Sequence, residues 1–246
     1  MGNLILLDDG TTKWVKSYYP KLKVSSNRQE LKGEIELIAS YNFDTNQFQN
    51  LSHGQKNNIG GDILSGNVSL TISSLVNRPW SKLPGVYIHS KNIPSILDRH
   101  FYEKLDKSAC LCSPIIEEEY LETDFILDRF VERLVIPFLY GQLHYNIHNK
   151  WPWNDYAHGN TGILESYYVE SQSRNVIKCL DTLRMNRKGL EIIIRCLRLD
   201  KAVGGHFPCF CGSKLPLRNC HRNAWFGINQ LKEDIRKQGL ISLITQ

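Results

Sequence analysis

The stretch Leu31-Lys-Gly-Glu-Ile-Glu-Leu-Ile-Ala-Ser-Tyr41 sets apolar Ile35, Leu37 and Ala39 at alternate positions, with glutamate, isoleucine and serine between or beside them. Successive side chains of a strand point to opposite faces, so this alternation predicts a strand with one face against a core. Working outward, Val68, Leu70 and Ile72 repeat the pattern, and Val86-Tyr-Ile-His89 reads as a third strand. Residues 50–61, rich in glycine and asparagine, predict a loop between the first two. Arg78-Pro-Trp-Ser-Lys-Leu-Pro84 holds two prolines, which lack the amide that ladder pairing needs, and so reads as a rigid connector. The sum is a small antiparallel meander.

Helical periodicity flanks it. Asp9 to Tyr19 predicts a short helix with Thr11 or Thr12 as N-cap and Trp14, Val15, Tyr18 and Tyr19 on one face. A second helix is expected from about Asp124 to His144, capped by Thr123, with Phe125, Ile126, Phe130, Leu134 and Phe138 at spacings of three and four. Pro137 should kink or split it. Glu117 to Glu119 reads as a solvated turn before that helix, and 150–162 as irregular, with an apolar element resuming from Ile163 to Val169. Residues 174–199 predict one long or two short amphipathic helices through Val176, Leu180, Leu183, Leu190, Ile193 and Leu197. Gly204-Gly205 breaks the chain, and Asn223 to Leu240 predicts a closing helix. The fold class is α+β.

The 246 residues suggest one domain with an appendage, and a 41% hydrophobic, 22% charged composition is that of a folded globular chain. A net charge of +5 spread along the sequence gives no basic patch, so direct nucleic-acid binding is not expected. Met1 to Leu7 is apolar but has no charged leader or cleavage site, and no run approaches the ~18 apolar residues of a membrane span, so a cytoplasmic protein without a membrane partner is expected. Seven cysteines, an odd count with two pairs at x-one spacing, suit a metal or catalytic role better than a disulfide framework.

Near the C-terminus, Cys209-Phe-Cys211-Gly-Ser-Lys-Leu-Pro-Leu-Arg-Asn-Cys220-His221 offers three thiolates and an imidazole. That set closes a tetrahedral shell around zinc with no open position, the mark of a structural ion. Gly212 and Pro216 would turn the chain back between the two ligand pairs. These residues resemble the SEC-C zinc motif of the bacterial secretion motor in the Cys-x-Cys-Gly-Ser start, the eight-residue spacer and the closing Cys-His. The resemblance implies an appended stabilising or protein-interaction module.

His100-Phe-Tyr-Glu-Lys-Leu-Asp-Lys-Ser-Ala-Cys-Leu-Cys-Ser-Pro114 leaves the meander. Cys110 is the candidate nucleophile, with Cys112 its rival. An unperturbed thiol supplies only a few per cent thiolate at neutral pH, so such a site needs positive charge nearby; Lys104, Lys107, Arg99 and His100 are the candidates. Two residues' spacing makes a disulfide between Cys110 and Cys112 geometrically awkward.

The spacing resembles that of ubiquitin-conjugating enzymes, whose His-Pro-Asn tripeptide places its histidine ten residues before a catalytic Cys-Leu. His100 and Cys110-Leu111 take those places, while Phe101 and Tyr102 replace the proline and asparagine. Over roughly residues 30–170 the closer resemblance is to the conjugating-enzyme-like proteins of bacterial CBASS antiphage operons, on Cys110-Leu111 and the aromatic, His-Gly segment Trp151, Trp153, His158, Gly159 and Gly162. It implies a conjugating-enzyme-like domain over 1–170, a helical connector over 171–203 and a zinc module over 204–246. It further implies a Cys110 thioester with the C-terminus of a cGAS-like nucleotidyltransferase, His100 as a loop buttress, Tyr102 or a backbone amide helping the oxyanion, and His158 positioning or deprotonating an incoming amine. Against this stand a non-catalytic, zinc-containing scaffold of that nucleotidyltransferase and a cysteine hydrolase, the latter without an evident Asp or Asn to orient a histidine base.

Overall fold

The computed structural model describes residues 7–74, 81–102, 104–120 and 125–245. It is α+β and divides into two compact units, residues 1–112 with 120–154, and residues 113–119 with 155–246. Residues 171–203 and 204–246 thus belong to one and the same unit.

The first unit is built on an antiparallel sheet. β1 is Leu22–Val24, β2 Glu30–Asn42, β3 Gln47–Asn50, β4 Asp62–Ser73 and β5 Gly85–Ile88, in the order β1-β2-β4-β5 with β3 also paired to β2. β2 is long enough to host two partners in tandem: β1 pairs near its start, Leu22 opposite Gly33, and β3 at its end, Tyr41 opposite Phe48. β4 runs along its other edge, from Glu30 opposite Ser73 to Tyr41 opposite Asp62. As the alternation requires, Leu31, Ile35, Leu37, Ala39, Val68, Leu70 and Ile72 are buried. β1 and β3 are additions to the three expected strands. Of the proline connector, 81–84 precedes β5, and 78–80 lies outside the described residues.

α1 is Asp9–Tyr18. Its cap is Asp8, whose carboxylate accepts the Thr11 N–H at 2.6 Å, and not Thr11 or Thr12: both threonines already lie inside the first turn. Val15 and Tyr19 are buried, whereas Tyr18 is exposed. α2 is a single helical run made of Leu127–Phe130, a π turn Val131–Val135, and Ile136–His148. Pro137 has no N–H to continue the ladder, and the wider turn lies immediately before it, so the expected break is absorbed without ending the helix. Phe125 and Ile126 precede the helix, Ile126 being exposed, and the helix runs to His148 and not His144. Thr123 and Asp124 lie outside the described residues. Leu139, Leu143, Val135 and Phe138 bury against the sheet, close enough that a methyl on Gly66 of β4 would sit 3.0 Å from Leu143 Cδ1.

Glu132 of the π turn collects the polar ends of this layer. Its carboxylate accepts from Tyr19 Oη at 2.6 Å and Asn50 Nδ2 at 2.8 Å, with His53 Nε2 at 3.3 Å. Burial, then the Glu132 bond, pushes the Tyr19 hydroxyl far above its ordinary pKa.

The second unit is helical: α3 Asn160–Val169, α4 Val176–Met185, α5 Leu190–Arg198 and α6 Arg222–Lys237. The apolar run over 174–199 is therefore two helices. Leu164, Tyr167, Leu180, Leu183, Ile193, Leu197, Ile228 and Leu231 form the core. α6 approaches α3 so closely that any side chain at Gly227 would overlap the Leu164 carbonyl, which is why that position is glycine. Ile115 belongs to this core and Glu117 beside it is 3% exposed, whereas Glu119 is exposed, so the expected solvated turn is buried at its start and open at Glu119.

Candidate functional site

In the second unit the chain bridges Pro208 to Pro216, with Cys209 N–H donating to the Leu215 carbonyl at 2.8 Å. Gly212, at φ +87, and Lys214, at φ +64, take the left-handed conformations that fold the loop back. A helical turn, Leu217–Cys220, then delivers Cys220 and His221 directly before α6. One ligand atom each from Cys209, Cys211, Cys220 and His221 lie within 4.8 Å of one another. Cys211 and Cys220 sulfurs are 3.7 Å apart, and His221 Nδ1 is 3.1 Å from Cys209 Sγ and 3.2 Å from Cys220 Sγ. Tetrahedral metal bonds of about 2.3 Å to sulfur and about 2.0 Å to nitrogen separate donors by roughly 3.5–3.8 Å, so the cage is of the right size.

The thiols are unlike one another. Burial pushes Cys209 upward, whereas at Cys211 the same effect is outweighed by the Ser213 hydroxyl and amide, with Cys209 and Cys220, which favour the thiolate. Glu165 lies in electrostatic reach of His221; burial raises its carboxyl despite the Ala157 N–H it accepts at 2.8 Å. The expected metal set is thus assembled, and the cluster could hold an ion.

In the first unit a comparable bridge joins Phe101 and Ala109. Ala109 N–H donates to Val86 O at 2.7 Å, hanging the hairpin on β5, and Cys110 N–H donates to His100 O at 2.7 Å. Asp106 braces the loop: its carboxylate accepts from Ser108 N at 3.0 Å, Ser108 Oγ at 2.6 Å and Tyr87 Oη at 3.1 Å. His100, itself left-handed at φ 56, meets the Trp151 ring edge-on at 4.7 Å. Trp151 in turn packs on Gly141 of α2, and Trp153 stacks near Tyr140, so both tryptophans are packing residues of this unit. Cys110 and Cys112 are half-buried, and Cys110 Sγ lies 4.0 Å from the Cys112 carbonyl oxygen.

His100, Tyr102 and Cys110 therefore share one hairpin. His158 belongs to the second unit, exposed in the loop before α3. Lys104 and Lys107 are exposed on the hairpin, but Arg99 does not serve it. Its guanidinium is buried, donating to Gln142 Oε1 at 2.8 Å, Gln142 O at 3.0 Å and Asn146 Oδ1 at 2.9 Å, over the Tyr145 ring. Those acceptors lie some forty residues downstream, beyond any local sequence signal. Asp106 was open to discovery as an Asp-x-Ser turn former; Tyr87 was not.

No protein-family model, no curated protein and no solved structure matches the chain.

Proposed function

We propose that this chain is a ubiquitin-conjugating-like acyl transferase in which Cys110 carries an acyl group as a thioester and the cysteine-histidine cluster binds a structural zinc ion. The observation that carries the reading is the amide of Cys110 bonded to the carbonyl of His100, which pairs the backbones of the two residues on a hairpin anchored to β5. The antiparallel sheet before it, the long helix after it and the resemblance of His100, Cys110-Leu111 and the aromatic segment support the same reading.

In the reaction, Cys110 thiolate attacks a carbonyl activated elsewhere, as a thioester or acyl adenylate, and the activating group leaves. An acceptor amine then attacks; the C–N bond forms, the C–S bond breaks, and the amine's proton passes to a base or to water. His158 is the candidate for orienting that amine, and Tyr102 or an amide of the hairpin for the oxyanion. Asp106 and Trp151 are positioning residues. The acyl donor of this proposal is the C-terminus of a cGAS-like nucleotidyltransferase in antiphage defence, in the cytoplasm. Among the described residues no helix is long and apolar enough to cross a membrane. The soft three-sulfur, one-nitrogen set favours zinc over oxygen-loving cations.

A second reading, a zinc-containing scaffold for that nucleotidyltransferase, is favoured by one contrast: four donors converge at the metal cluster, while Arg99 is turned away from Cys110. The two readings separate on intact mass and non-reducing gels of the chain co-expressed with the nucleotidyltransferase and its activating enzyme. A thiol-labile adduct lost only in Cys110→Ala establishes transfer. A stable complex without adduct in wild type, Cys110→Ala and Cys112→Ala establishes the scaffold.

A further inference from the structure

The last turn of α2 brings two histidines together. His144 and His148 are four residues apart, the spacing that places side chains on one helix face, and their ring centroids are 4.3 Å apart at 38°. His144 Nδ1 lies 2.9 Å from the Lys150 carbonyl oxygen. A carbonyl can only accept, so Nδ1 carries the hydrogen and the lone pair is on Nε2. A bond of this kind, from the ring nitrogen opposite the metal, is what orients metal-ligating imidazoles. Left-handed Asn149, at φ 53, turns the chain so that the Lys150 carbonyl reaches back to the ring. His144 is 2% exposed and also ringed by Phe43 at 5.8 Å and Tyr140 at 6.4 Å, whereas His148 is at the surface.

Two further features favour a cation here. The pair lies in the last turn of a long helix, where unpaired carbonyls and the macrodipole place partial negative charge. The Asp62 carboxylate is within electrostatic reach of His144, where it offsets part of the opposing charge of Lys150.

We propose that His144 and His148 form a two-imidazole site for a borderline divalent transition-metal ion, with zinc, nickel and copper the fitting class. Paired histidines at this spacing are the arrangement by which helices chelate zinc, and imidazole suits that class of ion. Two protein donors leave coordination positions to water or to an exogenous ligand, so the site is open, unlike the closed cysteine cluster.

The probe is Ni²⁺, titrated calorimetrically into the full-length chain whose cysteine cluster has first been loaded with zinc, with thiolate-to-nickel absorption followed in parallel to report any ion reaching that cluster. Wild type should take up one equivalent without thiolate absorption, and the ion should raise its unfolding temperature. His148→Ala, at an exposed position, should fold normally and bind roughly tenfold or more weakly, without the thermal gain. Equal binding by His148→Ala, uptake seen only with thiolate absorption, or no uptake by wild type would overturn the site.

Discussion

Two cysteines of this chain directly adjoin an isolated β-bridge: Cys110 follows Ala109, just outside the Phe101–Ala109 loop, and Cys209 follows Pro208, just inside the Pro208–Pro216 loop. The bridges span the same distance along the chain, 101 to 109 and 208 to 216, yet the loops they close have different centres. The first closes on the Asp106 carboxylate, satisfied by Ser108 and Tyr87, and leaves Cys110 sulfur beside a backbone carbonyl. The second closes on its own sulfurs and an imidazole, a set of donors that repel one another once ionised unless a cation sits among them. One hairpin is closed by protein groups alone; the other gathers four donors that could hold an ion.

The largest test of that contrast is to remove the ion. Zinc chelation, or Cys209→Ser, should cost the second unit several kcal/mol, a part of the ~10 kcal/mol that structural zinc supplies to small modules. Thermal unfolding with metal content measured alongside would report it. Cys110→Ala should move the same transition by less than about 1 kcal/mol. Equal effects would end the distinction.

Gly227→Ala tests whether the metal hairpin depends on the helix that follows it. The new methyl overlaps the Leu164 carbonyl, and forcing α6 off α3 should cost about 3 kcal/mol. Retention of one bound ion per chain despite that loss would mean that the four donors hold together without the packing beneath them.

Asp106→Ala attacks the first hairpin at its centre, where Ser108 N–H, Ser108 Oγ and Tyr87 Oη would lose a charged acceptor, at about 2 kcal/mol. Adduct formation at Cys110 should fall with it, while the metal content stays unchanged. Loss of metal in this variant would contradict the independence of the two loops.

What could be read from the sequence follows the same division between local and distant partners. Ile35, Leu37 and Ala39 announced β2 because a strand's period is carried by its own residues, but Leu22–Val24 and Gln47–Asn50 are too short to show a period and are strands only because β2 extends far enough to pair with both. The metal ligands, all between Cys209 and His221, were legible as a set. So was the nearness of His100 and Cys110, which a hairpin brings together. Arg99 was misread as part of a positive site because Gln142 and Asn146, which bury it, come from α2. The α1 cap was misplaced by a few residues because Asp8, Thr11 and Thr12 all have capping side chains and only geometry ranks them.

The smallest expected effect concerns Glu165, the charged residue behind the second hairpin. Burial raises its carboxyl above the ordinary value, and its nearness to His221 pulls the other way. A raised carboxyl stabilises the fold fully at pH below its unfolded value and loses that contribution as pH rises through the folded one, so the ionised group is a small burden at neutral pH. Glu165→Gln keeps an oxygen for the Ala157 N–H and removes the charge, and should therefore gain a few tenths of a kcal/mol at pH 7 in the metal-free chain. A zinc ion held by three thiolates and a neutral imidazole leaves the cluster with a net charge of about −1 and removes the imidazolium attraction, so with the ion bound the gain should persist or grow. Urea unfolding of both chains with and without bound zinc measures this directly, and a gain that vanished on zinc binding would mean that the loaded cluster acts on Glu165 as a cation.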